Sequence, residues 1–178
     1  MARSIRLVPL VCVQCAARLP AQPDEVAWVC GQCGQAQLLD DKRGLRALEI
    51  RYAAGIAANA KGKPFWVAQG QVTMQRETYS GNKSKEAQEF WSQPRWFFVP
   101  AYTCSHVTLA EIGVRFLLKP PALQPGQPAP FEPVTLPLAD VSATAQFIVM
   151  AIEAERKDKV KRVQFKLKLE PPVLWVLP

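Results

Sequence analysis

The sequence predicts an α+β protein: a small cysteine-bearing module at the N-terminus, then an antiparallel or mixed β-sheet packed with two helices. Three observations predict it. Two C-x-x-C pairs fall within about the first forty residues, apolar residues alternate at period two across 66–75 and 162–169, and apolar residues recur at helical spacing after Ser105 and after Asp140. A chain of 178 residues has room for one ordinary core and one appended mini-domain. The expected division is 1–44 for the cysteine module, 45–64 for a joining region and 65–178 for the body, which is expected to fold without the metal. With 49% hydrophobic and 9% aromatic residues, the chain has enough apolar surface to offset the entropy of ordering.

Taken in order, Asp40-Asp41-Lys42-Arg43-Gly44 reads as a polar turn leaving the first module. Ala53-Ala54-Gly55-Ile56-Ala57-Ala58 in the joining region is small enough to pack closely. Trp66, Ala68, Gly70, Val72 and Met74 then share one face of a half-buried strand, and Arg95 to Tyr102 supplies a second strand that pairs with it. Between them, residues 79–85 read as a polar loop and 86–91 as a short helical turn or lid. Thr103 or Ser105 caps a helix carrying Val107, Leu109, Ile112, Phe116 and Leu117, which Pro120 stops. Seven prolines between Pro120 and Pro137 predict an extended surface connection, with Val134 to Leu136 a short edge strand. Asp140 is expected to cap a helix reaching Lys157, with Phe147, Ile148, Ala151 and Ile152 inward and Glu153, Glu155 and Arg156 outward. Val163, Phe165, Leu167 and Leu169 alternate with Arg162, Gln164, Lys166 and Lys168 in a further strand, and 173–177 is the last.

Cys12, Cys15, Cys30 and Cys33 are the candidate metal ligands. A C-x-x-C turn places two sulfurs on one ion, and two such turns complete a tetrahedral shell. The fourteen residues between the pairs suffice for a strand, a turn and a returning strand, and Gly34 permits the positive φ of a tight turn. Structural zinc is the leading reading, with iron and a redox dithiol pair as the alternatives. Val11-Cys12-Val13-Gln14-Cys15 and Trp28-Val29-Cys30-Gly31-Gln32-Cys33-Gly34 resemble the two knuckles of the zinc ribbon family, over about the first forty residues only. Ala16 stands where many members of that family have glycine. The resemblance implies one structural zinc ion on the four cysteines, with Trp28 and Leu38 packed beside it.

Other chemistry is sparse. Cys104 and His106, the fifth cysteine and the single histidine, lie where a strand meets a helix, with a reactive thiol and a buried structural cysteine as the two readings. Gly81-Asn82-Lys83-Ser84 lacks the spacing of a phosphate loop, and neither G-x-G-x-x-G nor H-E-x-x-H occurs. The net charge of +7 is spread along the chain, nine basic to five acidic residues before Pro64 and thirteen to ten after it. Arg162, Lys166 and Lys168 share one strand face and are the candidate nucleic-acid contacts. The aromatic pairs Phe65-Trp66, Phe90-Trp91 and Trp96-Phe97 lie on or beside the strands and read as core; Phe90 and Trp91 are also the candidate anchors of a protein interface, with Trp91 tucked back onto the body as the competing reading. The expected protein is a non-catalytic, cytoplasmic protein-interaction or assembly module, with nucleic-acid binding by the ribbon and basic strand face as the alternative and an unrecognised enzyme third. Apolar runs are too short for a membrane span, and the opening residues, broken by Pro9, do not read as a signal peptide.

Overall fold

The computed structural model describes residues 8–81 and 83–178. Met1–Leu7, which carry the reading of the opening residues, and Asn82 of the expected 79–85 loop lie outside the described residues.

The cysteine module is built on three short antiparallel strands, β1 (Ala27–Val29), β2 (Ala36–Asp40) and β3 (Gly44–Ala47), in the order β1-β2-β3. The turn before β3 forms because the Asp40 carboxylate accepts the amides of Lys42 and Arg43 at 2.9 and 3.0 Å. The strand continues to Ala47, past the expected boundary at 44.

Among the described residues, the body has five strands and three α-helices. These are β4 (Ile50–Tyr52), β5 (Lys63–Ser80), α1 (Ser84–Trp91), β6 (Arg95–Pro100), α2 (His106–Leu118), α3 (Val141–Ala154), β7 (Lys159–Leu169) and β8 (Val173–Leu177). The sheet is mixed: β4 runs parallel to β8 within the order β4-β8-β5-β6, and the other pairings are antiparallel. Its spine is β5, 18 residues long, which reaches Ser80 and so takes up the start of the expected polar loop. One edge of β5 pairs with β8 near Val67 and with β7 from Gly70 onward, so β7 and β8 read almost as one strand. Pro171-Pro172 breaks it there, because neither residue has an amide to donate to the ladder.

The expected alternation of β5 is present. Trp66, Ala68, Gly70, Val72 and Met74 are buried, and Gln69, Thr73 and Gln75 are exposed. The even-numbered face meets Ala145, Ile148, Val149 and Ile152 of α3 in the main core. On the other face Phe65, Val67 and Phe98 lie under Ile112 and Phe116 of α2. Ser105 caps α2, its hydroxyl accepting the Thr108 amide at 3.1 Å. Among the described residues, no helix is long and apolar enough to cross a membrane.

Several expectations need correcting. The chain enters α3 through a 3-10 turn, Leu138–Asp140, so Asp140 has helical backbone angles and its side chain caps nothing. That helix ends at Ala154, and the left-handed Lys157 (φ 57°) marks the reversal into β7. Phe147 faces out, 40% exposed, while Glu153 faces in, 5% exposed. The expected edge strand at 134–136 is a single bridge, Val134 to Ala27.

Glu153 is inward because it has charged partners there. Its carboxylate accepts from Trp91 Nε1 and from Arg156 Nε, each at 2.8 Å, and lies 3.0 Å from Arg76 Nε. Arg76 occupies an inward position of β5 and grips Asp158 with both terminal nitrogens. Two guanidinium groups thus meet two carboxylates, which is what makes their burial tolerable.

The same network explains Phe90 and Trp91. The expected exposed pair closes α1 instead, with Trp91 only 2% exposed and its ring stacked parallel to Phe97 at 6.4 Å. Phe90 lies against the Arg95 and Arg156 guanidinium groups, at 4.1 and 5.6 Å from their central carbons. An indole in the core with a satisfied N–H is no exposed anchor.

Candidate metal centre

Each knuckle is closed by the same pair of backbone hydrogen bonds. In the first, Cys12 N donates to Ala17 O at 2.7 Å and Ala16 N to Cys12 O at 2.9 Å; in the second, Cys30 N donates to Gln35 O at 2.9 Å and Gly34 N to Cys30 O at 2.8 Å. Both turns put the residue after the second cysteine in the left-handed region, Ala16 at φ 58° and Gly34 at φ 75°. Glycine takes that conformation freely, whereas the Cβ of Ala16 makes it costly. The second knuckle therefore has the turn residue its geometry asks for, and the first is held despite its alanine.

The four Sγ atoms lie within 4.8 Å of one another, with Cys12 to Cys33 at 3.5 Å and Cys15 to Cys30 at 3.6 Å. These separations are far too long for disulfides, and all four cysteines are free. They match the roughly 3.8 Å between corners of a tetrahedron with metal–sulfur bonds of about 2.3 Å. Cys12 and Cys30 are buried, while Cys15 and Cys33 face outward.

The electrostatics point the same way. Burial works against the Cys12 thiolate, yet amide donors from Cys15 and Gln14 bring its pKa down to about 6. The Gln35 amide favours a Cys33 thiolate, but burial and the other three sulfurs push that thiol up to about 12. Four sulfurs this close cannot all ionise alone, and a bound cation removes the conflict. The chemistry of the donor set thus fits one metal ion and is compatible with zinc.

The strands beside the site have two distinct faces. Trp28 pairs with Gln37, and Trp28 packs with Cys12, Cys30 and Leu19 next to the sulfurs, as expected. Its indole N–H donates to Glu25 at 2.9 Å. Ala27 pairs with Leu38, and both join the core of the body, so Leu38 packs away from the cysteines rather than beside them. Successive residues of a strand point to opposite faces, so one short sheet serves both the cysteine site and the body. Val26 N donates to Val134 O at 2.8 Å, which ties the module to the proline-rich segment.

Sequence reasoning missed Gln37. Its side chain is fully buried, and its carbonyl oxygen accepts the Val13 amide at 2.7 Å, holding the first knuckle in place. The signal was a lone amide side chain directly before Leu38 and Leu39. Gln37→Leu is expected to lower metal affinity roughly tenfold, because a supporting hydrogen bond of this kind tunes ligand placement. Competition with a chromogenic chelator measures it, and an unchanged affinity would assign Gln37 to packing alone.

The remaining candidates lie elsewhere. Cys104 and His106 line a cavity of about 640 Å³ between α2, α3 and the proline-rich segment, together with Thr103, Thr135 and Phe147. Burial raises the Cys104 thiol against a weaker pull from Lys63, so it is held protonated rather than activated. Arg162, Lys166 and Lys168 are exposed on β7. The chain matches no protein-family model, no curated protein and no solved structure.

Proposed function

We propose that the N-terminal module is a zinc ribbon holding one structural zinc ion on Cys12, Cys15, Cys30 and Cys33, and that the chain is a non-catalytic protein-interaction or assembly module of the reducing cytoplasm. The observation that carries this reading is the cluster of four free thiols within 4.8 Å. Four protein thiolates fill a zinc coordination shell and leave no position for a substrate or a reactive water, so the metal's work is to hold the fold.

A protein contact is supported by apolar side chains left outside the core at one end of the body. Phe147 and Met150, one helical turn apart on α3, are 40% and 59% exposed, and Val107 on α2 is 67% exposed. Phe147 also touches the His106 ring at 6.2 Å and lines the adjoining cavity. This patch takes the place of Phe90 and Trp91 as the proposed contact.

Replacing Phe147 and Met150 together by glutamate is expected to remove the partners that copurify with the native chain. Stability should change little, because exposed side chains contribute little to the monomer. An identical set of copurifying proteins for native and variant chains would contradict the assignment.

A further inference from the structure

On the open side of the sheet, β6, β5 and β7 form one continuous polar platform. Residues opposite each other in antiparallel strands share a face, so the register gives its composition directly. Trp96 stands beside Gln69, Lys168 beside Gln71, Lys166 beside Thr73, Gln164 beside Gln75 and Arg162 beside Glu77. The helix α2 reaches this face only at its other end, over Phe65, Val67 and Phe98. The rows from Gln69 to Glu77 span roughly 27 Å at about 3.3 Å per residue.

Two features set this platform apart from an ordinary solvated strand face. Among the described residues, Arg162, Lys166 and Lys168 make no ion pair, and Glu77 pairs with Lys161 at 3.6 Å instead. Their cross-strand neighbours at two of the three rows are Gln71 and Thr73, which can hydrogen-bond but cannot neutralise charge. Trp96 is the second feature. It is 45% exposed in a strand whose next residues, Phe97 and Phe98, are each 1% exposed, so a large indole is presented on a polar face.

We propose that this face binds single-stranded nucleic acid, with Lys168 and Lys166 on neighbouring phosphates, Arg162 on one further along and Trp96 stacked on a base. The inference rests on reading the chain as a binding module, but not on the identity of its metal or on the α3 patch. Unpaired cations in a line supply affinity without sequence preference. An exposed indole at the end of that line supplies stacking, which requires an unstacked base and therefore a single strand rather than a duplex. Gln71 Nε2 already donates to Trp91 O at 3.0 Å, and the Gln69, Thr73, Gln75 and Gln164 side chains are left as donors and acceptors for sugar and base edges.

Fluorescence anisotropy of the intact, metal-loaded chain with a labelled oligothymidylate of about 15 nucleotides tests the proposal, beside a duplex of equal length. Binding at low salt should weaken with a log–log slope near −2, the value for about three phosphate contacts on a single strand. Arg162→Gln, Lys166→Gln and Lys168→Gln combined should abolish it. Trp96→Ala should weaken binding roughly tenfold and leave the salt slope unchanged, since stacking releases no counterions. The Phe147 and Met150 double variant should bind the oligonucleotide normally, so failure here is separable from failure of the protein-contact reading. No binding by the native chain, full binding by the triple variant, or a duplex preferred to the single strand would each overturn it.

Discussion

Cys30→Ser is expected to empty the metal site and to lower the melting temperature of the whole chain by about 10 °C. The sequence suggested a separable module whose loss would leave the body intact. The structure couples the two, because Ala27 and Leu38 are part of the main core and Val134, at 0% exposure, is bridged by Ala27. A ribbon without its metal has little apolar surface of its own to keep it folded. Its unfolding uncovers Leu38 and Val134, each contributing about 1.5–3 kcal/mol when buried. Together that is roughly 3–6 kcal/mol, at about 2–4 °C per kcal/mol for a chain of this size. Differential scanning calorimetry with elemental analysis of the same sample reads both effects. Loss of metal with an unchanged melting temperature would show that the body does not depend on the module.

The second large effect is expected at Arg76. Replacing it by methionine keeps much of the side-chain volume but leaves the buried Asp158 carboxylate without its main partner and that of Glu153 with Trp91 and Arg156 alone, at 3% and 5% side-chain exposure. Breaking a buried pair from one side costs about 3–5 kcal/mol. The pH dependence separates this cause from simple repacking. Hydrogen bonds from the Arg76 guanidinium hold the Asp158 carboxyl down to about 2, outweighing the opposing effect of burial. The carboxyl of an unfolded chain titrates near about 3.9, so the native contribution is fully present above that value and is lost as pH falls through about 2. Urea unfolding of the native chain between neutral pH and about 2 should therefore show a larger acid loss of stability than Arg76→Met, because the Asp40 carboxyl, held low by the Arg43 and Lys42 amides, contributes equally to both. An equal acid loss in the variant would place the titrating group elsewhere.

How much was legible follows from which interactions are local. The alternation of β5 and β7 is written in residues two apart, and the strand faces fell where the sequence put them. The capping of α2 by Ser105 and the four clustered cysteines were equally local signals. What misled was treating a charge as an outward marker. Glu153 is inward because Arg76, 77 residues earlier in sequence, and Trp91 complete it, and no window along one helix contains those partners. Trp91 is the same case seen from the other side, since its burial depends on Phe97 of β6 and its N–H on Glu153 of α3. Phe147 is the converse: its spacing suits the core, yet the helix presents it beside a cavity. Gln37 was missed because a buried amide on a strand looks like a solvated one until the register is known.

The ribbon reading stands on one zinc ion held by four cysteine sulfurs. X-ray absorption at the zinc edge, combined with elemental analysis of the purified chain, reads the metal and its ligands together. One zinc per chain is expected, with a shell of four sulfurs at about 2.3 Å and no nitrogen or oxygen neighbour. Iron in place of zinc, or a shell in which water or nitrogen replaces a sulfur, would contradict it.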